Sequence, residues 1–181
     1  MLCFTAIPEK MVNAMAFFAE QCPGSTKMKI FKLMYYADKE HLLRYGRPIT
    51  GDRYVRMEWG PTPSTSYDMA KGKAPLRQMT IFQSKLAVRG NSMRGLHSPD
   101  MRVFSRSDET VLREIVGQYG KLTATQLSKL SHREAAWTRT PANRLINFEL
   151  MFSGRPDAAL TLELLTEESS AKPLVSHAKR A

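Results

Sequence analysis

The 181-residue chain is 43% hydrophobic and carries a formal net charge of +10. Its length suits one domain with a full core and is short for two. No run of about 18 apolar residues is present, so no transmembrane helix is expected.

The opening MLCFTAIPEKMVNAMAFF has no basic leader, and Pro8, Glu9 and Lys10 interrupt its apolar run. It does not read as a signal peptide, and a cytoplasmic protein is expected. Cys3 and Cys22 are isolated, with no CxxC and no Cys/His grouping, so they are expected as free thiols and not as zinc ligands. The charge is uneven. Between Lys71 and Arg106, eight Lys and Arg stand against Asp100 alone. Such a segment suits an acidic protein partner or nucleic acid.

The first periodic segment covers about 9–22, where Met11, Met15 and Phe18 recur at helical spacing and Pro23-Gly24 ends the pattern. A second helix is predicted over about 26–45, capped by Ser25 or Thr26 and stopped by Gly46. Ile30, Leu33, Met34, Ala37, His41 and Tyr45 form its apolar stripe, with Lys27, Lys29, Lys32 and Lys39 mostly off it. After the GRPITGD loop, RYVRMEW alternates as a half-buried strand, with Val55, Met57 and Trp59 on one face and Tyr54, Arg56 and Glu58 on the other. Gly60-Pro61-Thr62-Pro63 is expected to break it. Thr62 then serves as N-cap, with Pro63 at the first position of a helix reaching about Ala70.

Between Ala74 and Arg106 the pattern is weak. MTIFQ, LAV and MRVF are expected as short strands pairing with the 53–59 strand, and the Gly90–Pro99 stretch as a long exposed loop. A helix then begins near Ser107 and ends at Gly120, with Val111, Leu112, Ile115 and Val116 inward. Thr123/Gln126 and Ser131/Glu134 both have capping-box spacing and predict two further short helices. Helices are also expected around Asn143–Phe152 and Asp157–Glu167. The main body is taken as 1–168, and the small, basic tail 169–181 is expected to be disordered. The fold class is mainly α with a small β element, a helical domain carrying a short antiparallel sheet.

Asp38, Glu40 and His41 form the most suggestive polar cluster, since Asp38 and His41 are three apart on a helix and can touch. With no nucleophile or second base nearby, the expected role of Asp38 is to satisfy a partly buried His41, not to orient a general base. Asp52 reads as a turn residue after Gly51. Neither GxxxxGK nor GxSxG occurs. The stretch TATQLSKLSHREAAWTRTPANRLI has a helix-turn-helix rhythm, but its turn lacks glycine and its second helix presents Trp137 before Pro141.

The strings KLMYYAD over 32–38, His41-Leu42, YGRPITGD over 45–52, and Gly60-Pro61 with Pro63 resemble the Panacea domain of SocA-type antitoxins, also known as phage-associated GepA-like proteins. Phe104-Ser105, Tyr119-Gly120, Thr123-Ala124, Leu127, Ser131-His132, Glu134 and Trp137 agree with it, so the resemblance spans about 10–150 and is weakest over 71–106. It implies a cytoplasmic antitoxin that binds a cognate toxin protein, in some members as an adaptor delivering the toxin to an AAA+ protease of the ClpXP type. It implies no catalytic activity and no cofactor. The competing expectation is a DNA-binding regulator of its own operon, suggested by the net charge.

On this reading the 35–67 motif surface binds the partner, helped by the basic 71–106 segment. Its candidate residues are Tyr36, Asp38, His41, Tyr45, Arg47, Asp52, Tyr54, Arg56 and Trp59. Tyr, Trp and Arg among them are the types that dominate binding hot spots. Replacing Arg47 or Arg56 by Ala is expected to weaken toxin rescue while the fold stays intact.

Overall fold

The computed structural model describes residues 2–171. Two helices form the centre. α1, Pro8–Gln21, buries everything from Met11 to Ala19. α2, Lys27–Tyr45, is capped by the Thr26 hydroxyl, which accepts from Lys29 N, and closes at Gly46 in the left-handed conformation. Residues Ile30 to Asp38 of α2 are buried without a break. α2 is therefore a central helix covered on all sides, by α1, α5, α6 and the strand β2. That is why Lys32, expected on the solvent side, is fully buried.

After the loop, β1 (Tyr54–Met57) pairs antiparallel with β2 (Gly60–Pro63) in the register Tyr54↔Pro63 to Met57↔Gly60. The Gly-Pro stretch expected to end the strand thus forms its partner. Its prolines are tolerated because β2 is an edge strand. The other side of β1 is met by residues 143–146: Arg56 N donates to Arg144 O, and Ile146 N to Tyr54 O. The helix expected around Asn143–Phe152 is therefore an extended segment followed by a 3-10 turn at Phe148–Phe152. The facing of β1 also differs from the alternation. Tyr54 is the buried residue, while Trp59 sits in the two-residue turn with Glu58 and points out.

α3 (Ser64–Ala70) follows directly. The pentad MTIFQ is not a strand. It lies in α4, Leu76–Lys85, which starts after Pro75 and buries Phe82. LAV falls in β3 (Leu86–Arg89), which pairs with β4 (Ser92–Gly95) in a separate hairpin and not with β1. This hairpin lies against the start of α2, with Lys27 N donating to Asn91 O and Met93 N to Ser25 O. MRVF becomes a 3-10 turn at Met101–Val103.

α5 (Arg106–Tyr119) is capped by Ser105, two residues before the expected Ser107, in a complete capping box with Asp108. α6 (Ala124–Ser131) has the expected Thr123/Gln126 box. The Ser131/Glu134 box does not form. Ser131 Oγ donates to Ser128 O, Glu134 is engaged elsewhere, and α7 is the single turn Ala135–Thr138. α8 spans Ala158–Ala171. The tail expected to be disordered lies outside the described residues, except that its first three residues continue α8. The architecture is mainly helical with a small antiparallel β element, as the sequence led us to expect, although among the described residues that element is two separate hairpins and not one sheet. No helix among the described residues is long and apolar enough to cross a membrane.

Candidate partner-binding site

The structure divides the nine candidate residues into a buried set and a surface set. Tyr36, Asp38, His41, Asp52 and Tyr54 are all buried. Asp38, midway along α2, accepts from Thr50 N at 2.8 Å, from the Thr50 hydroxyl, and from the Tyr54 hydroxyl at 2.8 Å. Burial pushes its carboxyl up to about 6, against the pull of these hydrogen bonds. Asp52 accepts from Thr65 N at 3.0 Å, Ser66 N at 2.9 Å and the Ser66 hydroxyl at 2.7 Å. It thereby caps α3 from a distance, the task assigned by sequence to Thr62, whose hydroxyl instead donates to Gly60 O. Burial raises its pKa too, again against its hydrogen bonds.

The expected contact between Asp38 and His41 is not made. His41 Nδ1 lies 2.7 Å from Arg47 O, and its Nε2 lies 3.0 Å from both Ser107 Oγ and Asp108 Oδ1. Asp108 belongs to α5, is fully buried, and takes Lys10 Nζ and Ser105 N on its other oxygen. Burial acts to raise its pKa, but His41 and Lys10 outweigh that and hold it well below the usual carboxylate range. Tyr36 stacks on Tyr119 with centroids 4.6 Å apart, and its hydroxyl faces Leu127 O. Every one of these polar groups clamps one piece of the chain to another. Asp38, His41 and Asp52 converge on the GRPITGD loop, which is closely overlaid: a Cβ on Gly51 would lie 2.2 Å from Thr5 O. Among the described residues no cluster of acids, histidines and cysteines could hold a metal ion.

Tyr45, Arg47, Arg56 and Trp59 reach the surface, but not as one patch. Tyr45 and Arg47 lie at the C-terminal end of α2, where Arg47 Nη2 is 3.2 Å from Ser105 Oγ and 3.0 Å from Asp108 Oδ1. Trp59 stands beside the first turn of α2, with Lys27, Met28 and Phe31. At 1.5 Å per residue, the two ends are about 27 Å apart.

The hairpin end is supported from behind by residues whose roles the sequence did not disclose. Lys32 Nζ donates to Pro61 O at 2.6 Å, and burial pulls its pKa down to about 7. Ser128 Oγ donates to Trp59 O at 2.9 Å, and Trp137 Nε1 to Met57 O at 3.2 Å. The Arg56 guanidinium lies 4.1 Å from the Trp137 ring and donates to Thr140 O, and His132 stacks on the same indole at 4.0 Å. A Cβ on Gly60 would collide with Ser131 Oγ at 2.5 Å, so β2 can approach α6 this closely only with glycine there. The apolar residues on either side of Lys32, Ile30-Phe31 and Leu33 to Ala37, were the one signal for its burial.

The bonds from Lys32, Ser128 and Trp137 hold the hairpin backbone at and beside its turn, and Trp59 is left 56% exposed. It forms one wall of a cleft of about 230 Å³, with Met28 and Phe31 of α2, Met57 of β1 and Tyr67 of α3. Lys27 lies at the edge, and Lys71 Nζ stands 5.6 Å from the Tyr67 ring. An apolar cleft with a rigidly seated, protruding indole is suited to receiving a partner's side chain.

A family model described as "Antitoxin SocA-like, Panacea domain" matches residues 30–138, more than half of the chain. The chain belongs to this family. Comparison with curated proteins and with solved structures found no match. The matched span runs from within α2 to α7. It includes the buried clamps of the Panacea domain, the Trp59 hairpin and the basic 71–106 segment, and it leaves out α1 and α8.

Proposed function

We propose that this Panacea domain is a non-catalytic antitoxin that neutralises a cognate toxin protein by binding it directly, and that the Trp59 cleft is the principal contact. The carrying observation is the contrast around Trp59: a hairpin turn held by Lys32, Ser128 and Trp137, with its indole left out beside an apolar cleft. Rigid support lowers the entropy lost on docking. The motif acids and His41 are occupied as internal clamps, which supports a binding role over a hydrolytic one. A toxin bound in this way is silenced either by occlusion or by delivery to an AAA+ protease of the ClpXP type, in the cytoplasm.

Co-expression with the product of the neighbouring gene tests the reading. Growth arrest by that gene alone, relieved by this chain and restored by Trp59→Ala, is the expected result. A stable complex indicates occlusion, and loss of the toxin protein indicates delivery. A harmless neighbour with no co-purifying protein overturns the proposal. The competing nucleic-acid reading keeps the net charge but loses its reading element. α7 is one turn long, and its Trp137 is packed between parts of the chain.

A further inference from the structure

α8 is apolar on two opposite sides. Ala158, Leu162 and Leu165 pack toward the core, and Leu165 occupies the space beside Gly46 that a side chain there would fill. Leu160 and Leu164, four residues apart and hence on one face, are 63% and 53% exposed. A solvated helix of this length is marginal unless an apolar face is covered, and only one of these two is.

The charges around that face select what covers it. From Pro156 to Glu167 the chain carries Asp157, Glu163 and Glu167 and no Lys or Arg, although the chain as a whole is strongly basic. Glu163 and Glu167 are exposed, and no ion pair among the described residues engages either one. Asp157 is paired with Arg155 at 3.0 Å. An anionic bilayer would repel such a face. A second copy meeting it through its own α8 would bring glutamates of both helices along one seam, which is unfavourable. A helix with an apolar stripe flanked by Lys or Arg complements it in both respects.

We propose that the outer face of α8 is a docking surface for a Lys/Arg-rich amphipathic helix of another protein. The inner face of α8 meets Gly46 at the C-terminal end of α2, whereas the Trp59 cleft is lined by Lys27, Met28 and Phe31 near its other end, so the two surfaces share no residue. It is independent of the toxin-binding reading.

The test uses the full chain and two labelled synthetic helical peptides with the same leucine stripe, one with lysine at the remaining positions and one with glutamate, read by fluorescence anisotropy. The lysine peptide should bind, more weakly as salt rises, and the glutamate peptide should not. Leu160→Gln with Leu164→Gln keeps helix propensity and should weaken binding about tenfold or more. Glu163→Gln with Glu167→Gln should flatten the salt dependence while circular dichroism stays unchanged. Equal binding of the lysine peptide by wild type and the leucine double variant overturns the proposal. So does equal binding of the two peptides. A wild-type dimer in light scattering that the leucine variant reduces to monomer also overturns it, in favour of self-association.

Discussion

The loop at 47–52 and the hairpin turn at 58–59 stand close in the sequence and behave in opposite ways. The loop is rich in polar groups, and almost all of them are turned inward and satisfied: Thr50 by Asp38, the Arg47 carbonyl by His41, and Asp52 by the start of α3. The turn has few polar groups, its backbone is held by Ser128 and Trp137, and its one large side chain is left in solvent. A dense polar motif can therefore be a set of internal struts, while the side chain left open to solvent is an apolar one beside it. Buried polar groups must find partners inside the chain, and once paired they have nothing left to offer outside it.

This contrast makes mutations in the two regions separable. The largest effect should follow Asp38→Ala, which leaves Thr50 N–H and the Tyr54 hydroxyl without their acceptor. A loss of about 3 kcal/mol in urea unfolding is expected, and a loss below about 0.5 kcal/mol would remove the strut reading. Next is the pH dependence of Lys32. Its folded pKa is about 7, against an ordinary 10.5. Between those values the unfolded chain holds the proton and the folded chain does not, so stability rises with pH. The gain from this group between pH 7 and pH 9 should be about 2 kcal/mol. Lys32→Met should abolish the gain, visible as a smaller difference between urea midpoints at the two pH values.

Trp59→Ala reverses the pattern of Asp38→Ala. Stability should change by less than about 0.5 kcal/mol, while affinity for the neighbouring gene's product, measured by calorimetry, should fall by about 2 kcal/mol. Equal affinity would move the interface away from the cleft. The smallest effect is expected for Arg47→Ala. Its guanidinium is 43% exposed and lies at the far end of α2, so stability should drop by under about 1 kcal/mol and toxin affinity should be unchanged. This differs from the expectation drawn from residue type alone, under which Arg47 and Trp59 belonged to one surface.

The helices α1, α2, α5 and α6 were legible in the sequence because their signals are local. A 3.6-residue apolar period, the Thr26 and Thr123 caps and the Gly46 stop each act within a few residues of the backbone they organise. The misread elements are those in which a distant partner wins. Glu134 completes no capping box because the Tyr35 hydroxyl donates to it at 2.6 Å and Lys39 reaches it at 2.8 Å. MTIFQ has strand-forming residues, yet it folds as α4, with Phe82 in the core and the helix against α1. Gly60–Pro63 reads as a breaker, yet it is an edge strand whose Pro61 carbonyl receives Lys32.

The candidate site divides along the same line. Residue types put Trp59 and Arg56 among the candidates, of which the structure leaves Trp59 exposed and sets Arg56 against Trp137 and Thr140; family membership came from motifs that lie contiguously along the chain. Which motif side chains face inward was not written in them, because Asp38, His41 and Asp52 are as polar as any surface residue. The sequence by itself determined where α1 and α2 lie, with the cap and stop of α2, and which family the chain belongs to, since both depend on short-range patterns. Only the tertiary structure decided that Lys32 is buried, that Asp52 caps a helix it does not adjoin, and that Trp59 is exposed. Each of those outcomes depends on which distant segment covers the residue, and burial free energy is settled by that neighbour.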